Sequence, residues 1–278
     1  MRRMFFACAA LVVATSAAQA QPPLYQLLDR MGAYLEEYES QLSSVVAAEK
    51  FTQNVSTNGR RRSTTLESEV AFIRLPGGAE WLGFRDVRKV DLRNVASSGL
   101  SISDVLTSAA GDLTKAHAIA RASAQHNLGL PRTINVPTGP LDIIHPMHRT
   151  AHVYVLDGED RVRGTDTVVV SFVEVARPTL VREPSGRQLI SSGRIWIAPV
   201  TGAVWRVEWI YQLEDRPRGS PPPPRLRVDF APHAELGIMV PTTMDEVFSV
   251  ERGRGDGRAT YSNFRRFGTS ARIVPEHP

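Results

Sequence analysis

Leu226, Val228 and Phe230 alternate with Arg227 and Asp229, and this two-residue period returns along most of the chain. Side chains on an extended backbone point to opposite faces in turn, so a segment with this rhythm buries one face only as a β-strand. Ser63–Leu75, the stretch around Glu80–Val90, Arg149–Leu156, Thr165–Val175, Leu189–Ala198, Ala203–Leu213, Arg225–Phe230, Ile238–Val250 and Ala259–Phe267 all read this way. In the first of them Leu66, Val70 and Phe72 share one side, while Glu67 and Glu69 share the other. Val168–Val170 with Phe172 and Val173 is apolar on both faces, which predicts a central strand covered on both sides. Pro76–Gly78 turns one strand into the next, so pairing is antiparallel.

Two stretches break the rhythm. Between Leu24 and Val45, apolar residues at Leu24, Leu28, Met31, Leu35, Tyr38, Leu42 and Val45 recur at intervals of four and three, one stripe of a helix. Asp29, Arg30, Glu36, Glu37 and Glu39 are expected on its polar side. A partner coiled coil has the same spacing, but three heptads are few and strand sequence follows at once. The second stretch, Ser101–Leu130, is alanine-rich and free of proline and ends near Gly129, as a helix or helix pair does. With the loop-like residues after it, it forms an insertion over about 101–145. Arg216–Arg225 is a stiff proline-rich surface connection. The fold class expected is therefore α+β, mainly antiparallel, with a curved sheet wrapped around helices and no internal repeat.

Residues 1–20 read as an export address. Arg2 and Arg3 supply the positive start, Phe5–Ala18 the apolar core, and Ala18-Gln19-Ala20 a small-x-small cleavage site. The apolar run is shorter than the ~18–20 residues a membrane helix needs, and no later stretch approaches it. Residues 21–278 are expected to form a single periplasmic or secreted domain, with no transmembrane segment after cleavage. Its one cysteine, Cys8, lies in the address, so no disulfide would assist the core. Without Arg2 and Arg3 the formal charge falls from +4 to +2, which removes the main support for a nucleic-acid partner.

The aromatic-rich stretch Gly193–Tyr211 is a hairpin whose register can be argued from sorting. A one-residue slip exchanges the two faces of a strand. A three-residue loop Val200-Thr201-Gly202 would put Ile195, Ile197, Trp205, Val207, Trp209 and Tyr211 on one face and Arg194, Trp196, Arg206 and Glu208 on the other. An even loop would mix Ile195 and Ile197 with Arg206 and Glu208. The three-residue loop is preferred, with Trp196 against Arg206 in a cation–π contact.

The pattern W-I-x-P-x-T-G-x-V-x-R-x-E from Trp196 to Glu208, after the helix "RMGAYLEEYESQLSSVVAAEKFTQ" and before the last strand "ATYSNFRRF", resembles the periplasmic lipoprotein-carrier and lipoprotein-sorting proteins and their sigma-factor-regulator relatives. The resemblance implies an open antiparallel half-barrel with the N-terminal helix and the insertion on its concave side, around an apolar cavity for acyl chains. Leu35, Tyr38, Leu42, Phe72, Trp205, Val207 and Trp209 are the residues expected to line that cavity. The insertion and the proline-rich connection make this chain longer than a minimal carrier.

The sequence carries no strong catalytic or metal signature. His145, His148 and His152 have a spacing that can ligate zinc, but no H-E-x-x-H accompanies them and they read as ordinary edge histidines. There is no G-x-S-x-G and no S-x-x-K, and the chain after the address has no thiol. Gly253–Arg258, "GRGDGR", cannot be a phosphate loop because no helix follows it. It reads as a glycine-rich turn, with an Arg254-Gly255-Asp256 adhesion tripeptide as the alternative. Gly59–Arg62 and Arg265-Arg266 are solvated charge, or contacts to anionic headgroups. The function expected is an exported, non-enzymatic protein without cofactor or metal that binds a lipid or lipoprotein acyl chain or another apolar ligand. The alternatives are an envelope protein-interaction or stress-sensor module contacting its partner through the insertion, and a hydrolase with unrecognised residues.

Overall fold

The computed structural model describes residues 22–43, 45–74, 81–95, 101–106, 113–129, 132–183, 185–216, 220, 222–250 and 253–267. The export address and the Pro76–Gly78 turn lie outside the described residues. Helix α1 (Leu24–Leu42) opens the fold, followed by β1 (Val45–Thr57), β2 (Arg60–Arg74), β3 (Trp81–Val90) and β4 (Arg93–Asn94). Then come α2 (Ile102–Leu106), α3 (Leu113–Ala124), α4 (Gly139–Ile143) and a 3₁₀ turn at Pro146–Ala151. The remaining strands are β5 (His152–Val162), β6 (Thr165–Glu174), β7 (Val181–Arg182), β8 (Gln188–Ile197), β9 (Val204–Leu213), β10 (Arg225–His233), β11 (Ile238–Val250) and β12 (Gly253–Arg266). They form one open, curved antiparallel half-barrel in the order β4-β3-β2-β1-β12-β11-β10-β9-β8-β6-β5, with β7 beside β8.

All nine expected strands are present, and three more accompany them. The longest addition, β1, was hidden because the apolar spacing of α1 runs on into Val45. The helix instead stops at Leu42. Ser43 leaves helical geometry at ψ 134°, and its N–H and Oγ both donate to the carbonyl of Glu39, closing the last turn. Val45 and Val46 are β-branched and suit the extended chain that follows. β1 then pairs with β2 on one side and β12 on the other, which sets the two ends of the chain side by side in the sheet.

Opposite faces of this sheet have different covers. On the inner face, α1 lays Leu27, Leu28, Met31, Leu35, Tyr38 and Leu42 against a continuous core from Phe51, Leu66, Val70 and Phe72 through Met244, Phe230, Val228 and Val207 to Val170 and Phe172. Residues one step along the same strands, Val46, Ala71 and Ile73, meet a second cluster with Phe84, Ile102, Val105, Ala116 and Ile119. Adjacent strand residues point to opposite faces. The insertion expected on the concave side is therefore divided: α2 and α3 cover the outer face of β1–β3, while α4 packs Leu141 and Ile143 on the inner face with α1. Ser123 Oγ accepts from the N–H of Val87 on β3, beside the short edge strand β4.

The strand read as central, β6, is second from the edge. Its outward Val169 is covered by Trp196 and Val162, but Val173 is exposed, so the two-sided apolar run reflects a small local cover. Glu39, expected on the polar side of α1, is buried, with His145 Nε2 3.6 Å from its carboxylate. The "GRGDGR" stretch is no turn. It forms the first half of β12, paired on both sides, and Asp256 accepts from Asn54 Nδ2 at 3.0 Å. A Cβ on Gly255 would lie 2.2 Å from the ring of Phe248, and one on Gly257 2.6 Å from Phe51, so these glycines make room for inward aromatic rings.

The hairpin keeps its predicted register by a different route. Ile195 faces Val207, Gly193 faces Trp209 and Trp196 faces Arg206, with the Arg206 guanidinium 5.3 Å from the Trp196 ring. The connection, however, closes on Ala198 and Ala203 around four residues, and a β-bulge between Val204 and Arg206 restores the sorting. That bulge turns Trp205 away from the core. It packs on the outer face with Trp196, Val162 and Val169, so the inward placement predicted for Trp205 beside Trp209 is incorrect. Gly202, at φ 75°, is needed here: a Cβ would lie 2.3 Å from the Arg30 carbonyl of α1.

Candidate functional site

Six of the residues expected to line a cavity do meet. Leu35, Tyr38, Leu42, Phe72, Val207 and Trp209 are each at most 2 % exposed and belong to one core. They pack against one another as a closed interior, and Tyr38 alone among them also borders a surface hollow of about 430 Å³ beside Tyr34 and Ile238. The larger hollow lies at one end of the inner face, with a volume of about 660 Å³. Ile134, Leu189, Tyr211, Leu213 and Phe248 form its apolar wall, Pro222–Pro224 its side, and Arg132, Arg182 and Arg216 its basic rim. Tyr211 links the two regions, because its ring centre is 5.0 Å from that of Trp209. The volume falls in the range of ordinary small-molecule sites.

Beneath this hollow the inner face is charged. Arg132 reaches from the connection between α3 and α4 to Glu246 on β11, with Nε 2.7 Å from Oε1 and Nη2 3.3 Å from Oε2. Its Nη1 donates to the Leu128 carbonyl at 2.9 Å, its Nη2 to Gln53 Oε1 at 3.1 Å, and its guanidinium lies 3.7 Å from the Phe248 ring centre. A second pair, Arg85 with Glu49, is fully buried: Nε and Nη2 both bond the carboxylate. Asn135 joins the two. Its carbonyl accepts from Arg85 Nη2 at 2.9 Å, and its Nδ2 donates to Glu246 Oε2 at 3.3 Å.

The physical chemistry of this network follows from its burial. Charges removed from water are tolerated when ion pairing and hydrogen bonds fill their remaining sites. Burial opposes the charge on Arg85, but Glu49 beside it holds its pKa above the usual range. Burial, and then Glu49, push the Tyr261 phenol well upward, and burial with Glu246 does the same to Tyr211. Both phenols stay protonated, so the cavity wall presents a neutral hydroxyl beside a closed, charge-balanced floor. The connection carrying Asn127, Leu128, Arg132 and Asn135 is thereby latched across the concave side.

None of these polar residues was singled out from the sequence, although a signal existed. Glu49 and Gln53 share parity with Val45, Phe51 and Val55, Glu246 with Met244 and Phe248, and Arg85 with Val87. Charged residues at core-facing positions require partners of opposite sign. Of the histidines, His148 lies in the 3₁₀ turn and His152 Nδ1 is 3.0 Å from the His148 carbonyl; no group of three or more potential metal ligands occurs among the described residues. The apolar residues of α2 and α3 are spent on the outer face of the sheet. No helix among the described residues is long and apolar enough to cross a membrane.

The chain matches no protein-family model and no curated protein sequence. Solved structures similar to it include a DUF1329 family protein from Desulfovibrio piger, 13% identical over 88% of this chain and 93% of that one, with a TM-score of 0.42. A putative outer membrane lipoprotein-sorting protein domain from Vibrio parahaemolyticus is 8% identical over 86% and 92%, with a TM-score of 0.41. A LolA superfamily protein from Nitrosomonas europaea is 13% identical over 85% and 93%, with a TM-score of 0.35. The last two carry names from the group that the sequence pattern resembles.

Proposed function

We propose that this protein is an exported, non-enzymatic binder of an acyl chain or another apolar ligand, acting in envelope or lipoprotein trafficking, and that the ligand enters the hollow at the end of the inner face. One observation carries the reading: the 660 Å³ hollow whose wall is Ile134, Leu189, Tyr211, Leu213 and Phe248. An apolar wall of this size, above a floor whose charges are paired with one another, fits a ligand with a long apolar part. The six core residues behind it act as a rigid backing.

Native mass spectrometry of the purified protein, with displacement of a fluorescent fatty acid, tests the reading. A co-purifying lipid and saturable binding are expected, with Leu189→Trp and Leu213→Trp filling the hollow and weakening binding about tenfold or more. Neither co-purifying lipid nor probe binding would sink it. Binding unchanged in both tryptophan variants would place the ligand elsewhere.

A further inference from the structure

One edge of the half-barrel is β5, whose only neighbour in the sheet among the described residues is β6. An edge strand presents unpaired N–H and C=O groups and is usually protected by charge, proline or a covering element. The first half of β5, His152-Val153-Tyr154-Val155-Leu156, has no formally charged residue other than His152 and no proline. It is also exposed where it is apolar: Val153 is 49 % accessible and Val155 58 %, and they continue outward with Val173 at 42 % and Val175 at 51 %. Val153 faces Val173 across the ladder, so the four valines form one strip on the outer face of β5–β6.

The ladder shows which backbone groups are free. Val175 N–H donates to the Ala151 carbonyl at 2.8 Å, which makes 151/175 a hydrogen-bonded pair. Hydrogen-bonded and non-bonded pairs alternate in an antiparallel ladder, so Val153 and Val155 spend their backbone groups on β6. Tyr154 and Leu156 aim theirs at the open side, and His152 aims its carbonyl there, while its N–H donates to the Arg149 carbonyl. A two-fold axis at Tyr154 would pair His152 with a second copy's Leu156, Tyr154 with Tyr154, and Leu156 with His152. Tyr154 bonds through both its groups, and the His152 carbonyl accepts from the Leu156 N–H. Val153 then falls opposite the second copy's Val155 in the close, non-bonded position, where cross-strand side chains touch.

The flanks complement each other as well. Arg149, which also pairs with Asp29, precedes the apolar run, and Asp157, Glu159 and Asp160 follow it. Antiparallel self-pairing sets the basic flank of one copy toward the acidic flank of the other. We propose that β5 is a self-association strand, through which two copies of this chain pair antiparallel about Tyr154 and join their half-barrels into one continuous sheet. The pairing is short compared with standard interfaces, so the dimer is concentration-dependent.

Sedimentation velocity across a concentration series, with the Cys8→Ala chain as background, tests the proposal. A monomer–dimer equilibrium is expected. Leu156→Pro, which removes an open-side donor and leaves the bonding of Val153 and Val155 to β6, abolishes it while circular dichroism stays native. Register is tested by oxidation: Val153→Cys mixed with Val155→Cys gives a disulfide-linked heterodimer, and neither variant alone gives a linked homodimer. Arg149→Glu and Glu159→Arg each weaken association, and mixing the two variants restores it. A chain that stays monomeric up to near-millimolar concentration overturns the proposal. So does a dimer unaffected by Leu156→Pro, or one in which Val155→Cys links to itself as readily as to Val153→Cys.

Discussion

The two halves of the concave face solve the same burial problem in opposite ways. Across β6 and β8–β10 the inner residues are Val170, Phe172, Ile195, Val207, Trp209, Leu226 and Val228, a dry surface closed by α1 and α4. Across β1–β3, β11 and β12 the same face interrupts its apolar residues Phe51, Leu66, Val70 and Met244 with Glu49, Gln53, Arg85 and Glu246, and these are closed by the connection that brings Arg132 and Asn135. A dry half is held by shape and area, without direction. A charged half is held by a few directional contacts, each of which leaves a buried charge unpaired if its partner is lost.

Removing one charge from the latched half should therefore have the largest effect. Arg85→Ala leaves Glu49 buried and unpaired and should cost about 3–5 kcal/mol in urea unfolding. Replacing both partners, Glu49→Met with Arg85→Leu, should recover most of that loss. If the double variant is no more stable than the single one, the latch is packing and not charge. Trp209→Ala in the dry half should cost a comparable ~3–5 kcal/mol. Trp205→Ala, three residues beyond the hairpin turn but on the other face, should cost about 1 kcal/mol. Equal losses for the two tryptophans would contradict the bulge that separates them.

Gly255→Ala strikes the charged half under Phe248, whose ring Arg132 covers. The added methyl would lie 2.2 Å from that ring and should cost roughly 1–3 kcal/mol by overpacking, read as a lowered melting temperature. A neutral outcome would mean that the Arg132 latch yields easily. The smallest effect expected is a pH dependence. Burial lowers the pKa values of His148 and His152 below the ordinary histidine value, so the unfolded chain takes up protons more readily than the fold does. That contribution is fully present above about pH 6.5 and is lost as the pH falls through the lowered values. Thermal scans from neutral to mildly acidic pH should show the melting temperature falling, and His152→Gln should flatten the slope.

Much of the fold is legible in the sequence, though not the charged half. Nine strands, the helix from Leu24, the pairing of Ile195 with Val207 and the Trp196–Arg206 contact all follow from period and parity, since a strand that misplaces a whole apolar face cannot bury it. The limits were equally physical. Val45 fits a helical stripe by spacing, yet local geometry at Ser43 ends the helix before it. Trp205 fits the inward parity, yet one bulge exchanges the faces of Val204 and Trp205 and leaves Arg206 onward in register. Six of the residues expected to line a cavity share one core, while the apolar wall of the hollow draws on four separate segments that no local pattern joins.

By itself the sequence determined the period of each element and the faces that must be dry, because both depend on neighbours within a few residues. Only the tertiary structure decided what lies on those faces. Arg85 meets Glu49 from a strand 36 residues away, and Arg132 meets Glu246 across 114 residues. Local periodicity shows that such charges need partners, but the choice of partner depends on how the sheet curves and where the insertion crosses it. The same holds for the free edge: alternation marks β5 as a strand, and only the closed order of the other strands leaves it last.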